Sequence, residues 1–275
     1  MERLPTLFVS HGAPTFALEP GLIGPRLTVL GQVLPRPAAV LIVSPHWMTR
    51  EPRVMTTARP QTLYDFGGFD SALYEITYSA DGSPALAARA IEILRAAGWP
   101  AAEERDRGLD HGAWVPLTYL YPRADVPVFQ ISIPAHMDAT SAFEYGRALA
   151  PLASEGVLVV GSGSLTHNLY EYRPEHGRGE VYAAEFAGWI RDAVTSGDHE
   201  RLVRALEIAP HARRAHPTSE HYLPLVIAAG AASDMLPAAV LDGGIVHGVL
   251  SMDAFVFGMQ VPQAASENPI ARMLS

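Results

Sequence analysis

Three short apolar runs in this chain each end in Gly, Ser or Pro and then deliver a histidine. Leu41-Ile42-Val43 runs into Ser44-Pro45-His46, and Leu7-Phe8-Val9 into Ser10-His11-Gly12. Val157-Leu158-Val159-Val160 passes through Gly161-Ser162-Gly163-Ser164 to His167. Short β-branched runs bounded by turn residues read as buried strands. In open α/β sheets ligands sit at the carboxyl ends of the strands. The pattern therefore predicts three imidazoles at strand ends.

The rest of the chain alternates accordingly. Strands are expected at Thr6–Ser10, Ala38–Val43, Arg53–Thr57, Pro127–Ile133, 157–160 and Ser251–Phe257. Helical spacing covers 21–35, 84–97, 140–152, 180–194 and 200–208. Ser83-Pro84 opens one helix, with Ser83 as a capping hydroxyl, and Ser219 is expected to cap another that carries Glu220 and His221. Asp110-His111-Gly112-Ala113-Trp114 reads as a loop leading to a short helix. No Gly/Ser linker and no solenoid repeat divides the chain, so it is read as one α/β domain over 1–262 with a polar tail at 263–275.

Composition removes several function classes. The chain has 275 residues, 48% of them hydrophobic, which suffices for a sizeable core. The net charge of −9 argues against nucleic acid and anionic membranes as partners. No cysteine is present, so disulfides, thiolate catalysis and Cys-ligated metals are excluded. A metal here must take His, carboxylate, carbonyl or water. No run reaches the length of a membrane span, and Met1–Pro5 does not begin a signal peptide. The expectation is a cytoplasmic protein.

Of eleven histidines, five stand in specific contexts: His11, His46 and His167 after strands, His111 in a Gly- and Trp-flanked loop, and His221 beside Glu220. Neutral imidazole is the commonest ligand for divalent metals, and ligands gathered from distant elements need no local motif. Two histidines and a third ligand on one face, with positions left open, suit non-haem iron(II) and dioxygen. A lone histidine after a strand is more often a turn residue. It is the matched contexts of His11 and His46 that favour the metal. Gly161–Ser164 lacks the third glycine of a dinucleotide fingerprint and the lysine of a P-loop, and reads instead as a flexible turn that lets His167 approach a ligand. Trp47 and Trp114 fit core packing better than an aromatic pocket. His176 and His199 are expected at the surface and His136 and His247 as structural, while His216 either belongs to a basic patch with Arg213 and Arg214 or reaches the site.

Six segments, in order, resemble the class III extradiol ring-cleaving dioxygenases of the LigB type, most closely their DOPA-dioxygenase-like branch. They are Ser10–Pro14, Ser44–Trp47, Tyr64-Asp65-Phe66-Gly67-Gly68-Phe69, Asp110–Leu117, Gly161–Leu169 and Ala215–Leu225. Each is weak alone; together they span nearly the whole chain. The resemblance implies a single α/β domain with a central mixed β-sheet and helices on both faces. It implies a metal held by His11 and His46 with His221 as third ligand and Glu220 as the alternative. Adjacent residues on a helix point about 100° apart, so both cannot easily reach one ion. It also implies His167 as acid/base, close enough to the metal to serve as a fourth ligand in a resting form, and His111 as a substrate-pocket residue.

On that basis the expected reaction is extradiol opening of a catechol by O2, with Fe(2+) for activity and Zn(2+) as an alternative occupant of the same ligands. His167 is expected to shuttle a proton with a pKa near neutrality. The expected partners are a small aromatic diol and O2, with no nucleic acid and no membrane; a homo-oligomer stays open. Two rivals are a zinc-dependent hydrolase and a non-catalytic interaction protein on the same scaffold. Retention of all five histidines favours an enzyme.

Overall fold

The computed structural model describes residues 3–174, 179–232 and 238–261; the expected tail at 263–275 and His176 lie outside them. The strands are β1 (Thr6–Ser10), β2 (Ala39–Thr49), β3 (Arg53–Met55), β4 (Ala102–Glu104), β5 (Val128–Pro134), β6 (Val157–Gly163), β7 (Ala239–Leu241), β8 (Ile245–Val246), β9 (Leu250–Ser251) and β10 (Ala254–Phe257). The helices are α1 (Ile23–Val33), α2 (Pro84–Ala96), α3 (His111–Leu120), α4 (Ala139–Leu149), α5 (Pro151–Ser154), α6 (Val181–Ser196), α7 (His199–Ile208), α8 (Ala212–Ala215) and α9 (Leu223–Ala231).

Eight strands form one mixed sheet of order β4-β3-β5-β2-β6-β1-β10-β7, while β8 and β9 make a separate two-stranded ribbon. The four central strands β5, β2, β6 and β1 run parallel. Strands β3 and β10 flank them antiparallel. Leu41, Ile42 and Val43 are completely buried, as the doubly covered centre of a parallel sheet demands. Because the central strands point one way, the ends of β1, β2 and β6 open on the same edge.

Alternation along β6 shows why helices cover both faces. Ser162 turns toward α3, where its hydroxyl donates to the Gly112 carbonyl. Its neighbours Gly161 and Gly163 turn the other way, toward α9. A Cβ at Gly161 would meet the Pro224 carbonyl, and one at Gly163 the His221 carbonyl. Gly161-Ser162-Gly163 is therefore not the flexible turn the composition suggests. It is buried strand, with glycines that let α9 close on the sheet.

Four local expectations are corrected. Strand β2 does not stop at Val43; it continues to Thr49 with its register to β5 broken between Val43 and Met48. Pro45 has no N–H for the ladder, and the resulting irregularity re-aims His46. His111 is the first residue of α3, not part of a loop. Helix α9 starts at Leu223, so that Pro224 falls in the opening positions that tolerate its missing N–H. Ser219 consequently caps nothing; its carbonyl accepts from the Tyr222 and Leu223 N–H groups in a turn before the helix. Ser83 occupies the cap position of α2 without a side-chain bond.

Candidate metal centre at the carboxyl edge of the sheet

The sheet edge gathers the five singled-out histidines. His11 immediately follows β1, His46 sits in the irregular part of β2, His111 begins α3, His167 follows β6, and His221 precedes α9. The rings of His11, His46 and His221 form a triangle with centroids 5.0, 5.5 and 5.1 Å apart. Their ligand atoms lie within 4.8 Å of one another. His111 stands 3.9 Å from His46, centroid to centroid. His167 stacks on His221 at 3.5 Å with planes 10° apart.

Hydrogen bonds decide which nitrogen of His11 and of His221 is free. Ser162 Oγ gives its single proton to the Gly112 carbonyl. It must therefore accept from His11 Nδ1, 3.0 Å away, which leaves the Nε2 lone pair of His11 open. That Nε2 faces His46 Nε2 at 3.0 Å. His46 Nδ1 lies 3.8 Å from the Asp65 carboxylate. His221 Nδ1 donates to Glu220 Oε1 at 3.1 Å, again leaving Nε2 free. Glu220 also accepts from the Thr218 hydroxyl at 2.9 Å. Glu220 thus backs the imidazole of His221 and does not belong to the His11–His46 group. Such outer partners orient ligating histidines.

The electrostatics agree with a neutral ligand set. Burial first, and then the neighbouring imidazoles, hold His11 and His221 well below the usual histidine range. Burial takes His46 to about 4, with His111 pushing the same way and Asp110 and Asp65 opposing. Neutral imidazole is the form that binds a metal. The Nε2 atoms of His11 and His46 stand 3.0 Å apart, close enough for both to reach one ion. The set of three neutral nitrogens, with no thiolate, fits a divalent transition metal.

His167 departs from expectation. Its pKa is about 4, not near neutrality: burial lowers it, Glu220 pulls it up, and His111 pushes it down. Its backbone N–H is tied to the Ala215 carbonyl at 2.8 Å. His111 is held by Asp65, whose carboxylate accepts from its backbone N–H at 2.9 Å and from Nδ1 at 3.0 Å. Burial raises the Asp65 carboxyl, but the bonds and charge of His111 outweigh it and leave it below the usual range.

Several supporting residues carry no local signal. Arg107 donates to the His46 carbonyl and to Asp110, and Gln130 pairs with Asp110 through both its amide and the Asp110 N–H. Asp65, Ser162 and Gln130 act through partners far away in sequence, and Arg107 reaches both the distant His46 and the nearby Asp110. The cavity of about 320 Å³ beside the histidines is walled by Phe66, Phe69 and Leu169 among others. Neither tryptophan lines it. Trp114 is fully buried and donates to the Leu63 carbonyl, while Trp47 lies under Arg107. His216 does not reach the site; it is buried and its Nε2–H donates to Leu165. His136 and His199 are exposed and His247 is buried.

An α/β sheet with a histidine-built metal-type site at its carboxyl edge defines the class of protein. The chain belongs to the LigB family: residues 27–251 match the catalytic LigB subunit of aromatic ring-opening dioxygenase. It is 39% identical to a 4,5-DOPA dioxygenase extradiol of Beta vulgaris over 92% of this chain and 96% of that protein. It is 41% identical to one of Escherichia coli (strain K12) over 91% of this chain and 93% of that protein. A crystal structure of an uncharacterised Escherichia coli K12 protein superposes with a TM-score of 0.76 at 35% identity, covering 93% of this chain and 100% of the other. Enzymes of this family use a non-haem metal. Among the described residues no helix is long and apolar enough to cross a membrane.

Proposed function

We propose that this chain is an extradiol dioxygenase that opens the ring of a catechol with O2, using Fe(2+) held by His11, His46 and His221. When bound, the ion would supply the Lewis acidity that lowers the diol's pKa and a path for electrons to pass from the catechol, which is oxidised, to dioxygen, which is reduced. The chain supplies position and proton transfer. Ser162 and Glu220 fix the ring orientations of His11 and His221. His167, on the wall of the cavity, is placed to accept a phenolic proton and later return it. His111, locked by Asp65, presents its other nitrogen to a substrate oxygen. The aromatic wall at Phe66 and Phe69 excludes water and receives the ring.

The observation that carries this reading is the meeting of five imidazoles, three with ligand atoms within 4.8 Å of one another, beside an apolar cavity of about 320 Å³. Anaerobic loading with iron(II), then addition of O2 and a catechol panel, is expected to give oxygen uptake and a coloured ring-opened product. Absence of uptake with every catechol sinks the proposal. An all-nitrogen ligand set also accepts zinc. Zinc-loaded protein is expected to be inert toward O2; ester or amide hydrolysis by that form would favour the hydrolase instead.

A further inference from the structure

Among the described residues, what the cavity wall offers a substrate beyond its diol is uncharged. Its outer wall is Pro14, Phe66, Phe69, Leu169, Tyr172 and Leu250. No arginine is among the described lining residues, and the chain has no lysine at all. Arg173, next in sequence to Tyr172, turns its guanidinium onto Glu180 at 2.6 Å, and Arg214 is held by Glu171 at 2.7 Å. Among the described residues, the charged groups bonded to lining side chains are carboxylates. Asp65 bonds His111, Glu220 bonds His221, and burial followed by the charge of Glu19 holds the Tyr172 phenol above its usual range.

We infer that the cavity selects catechols bearing an uncharged apolar substituent over those bearing a carboxylate. This deepens, and rests on, the ring-opening reading above. A carboxylate entering such a wall loses its hydration without gaining a cation or a hydrogen-bond cluster, and it approaches carboxylates of like sign. An alkyl or aryl substituent instead covers Phe66, Phe69, Leu169 and Leu250 and gains their burial. The curated relatives named for 4,5-DOPA share about two-fifths of their residues with this chain, which leaves room for a different outer wall.

The test compares 4-propylcatechol with 3-(3,4-dihydroxyphenyl)propanoate, which match in length and differ in charge. Oxygen uptake gives kcat/KM on the iron-loaded enzyme, and isothermal titration under nitrogen gives Kd. The propyl compound is expected to lead by about tenfold or more in both measures. In Leu169→Arg, at a side chain 59% exposed and so tolerant of the change, the gap is expected to shrink because a cation now meets the carboxylate. Equal or better binding and turnover of the propanoate overturns the selectivity while ring opening stands. A preserved binding preference with no oxygen uptake from either compound removes the ring-opening reading and leaves the cavity's preference in place.

Discussion

The imidazole of His167 lies flat on that of His221, with centroids 3.5 Å apart and planes within 10° of parallel. One of these rings carries a proposed metal ligand and the other faces the cavity, so their functions are separable by mutation. In His167→Ala the iron content is expected to stay near one per chain while kcat falls by about 10²–10⁴, the usual share of a positioned acid–base group. His221→Ala is expected to lose the metal. Metal analysis alongside single-turnover kinetics checks both, and full turnover by His167→Ala would remove the acid–base role.

Ser162 and Glu220 act on the metal only through the rings they hold. Ser162→Ala deprives His11 Nδ1 of its acceptor, and Glu220→Ala does the same for His221. Each is expected to weaken metal affinity by about 10–100-fold without abolishing it. Glu220→Gln keeps an accepting oxygen and is expected to recover most of the loss. Competition titration with a chromophoric chelator reads the constants. A Glu220→Gln variant as metal-free as His221→Ala would make Glu220 itself a ligand.

Gly161 leaves no room for a side chain, because a Cβ there would overlap the Pro224 carbonyl on α9. Backbone, not a flexible side chain, would have to move, so Gly161→Ala is expected to cost at least about 2 kcal/mol. Since α9 directly follows His221, the same change is expected to lower metal affinity. Denaturant midpoints compared with those of Gly188→Ala, where nothing lies within 4 Å, give the control.

His216 makes the metal-free protein sensitive to mild acid. Burial lowers its pKa from 6.5 to about 4, against the pull of its bond to Leu165. Between these values the unfolded chain binds a proton that the native chain refuses. Stability therefore falls as pH drops from about 6.5 toward 4, by up to about 1.4 kcal/mol per pH unit for this one group. His216→Gln is expected to flatten the slope of unfolding free energy by one proton in that window. An unchanged slope would show that His216 titrates alike in both states.

The core strands were legible because burial on both faces demands uninterrupted apolar runs, and 7–9 and 157–160 have them. Strand β4 was not, since Ala102-Glu103-Glu104 has little β preference and pairs only at the sheet's rim. The continuation of β2 past Pro45 was hidden by a residue that ordinarily ends a strand. The cap at Ser219 failed because Pro224 sets where α9 can begin.

By itself the sequence determined which residue types were present and where apolar runs must hand over to histidines. These follow from periodicity and side-chain chemistry, which are local. Only the tertiary structure decided which nitrogen of His11 and of His221 is free, that Glu220 stands behind His221, and that burial lowers the pKa of His167. Those depend on who is buried beside whom. His11 meets Ser162 across 151 positions because β1 and β6 pair with Val9 opposite Ser162. A register between strands is a property of the folded sheet that no stretch of chain carries alone.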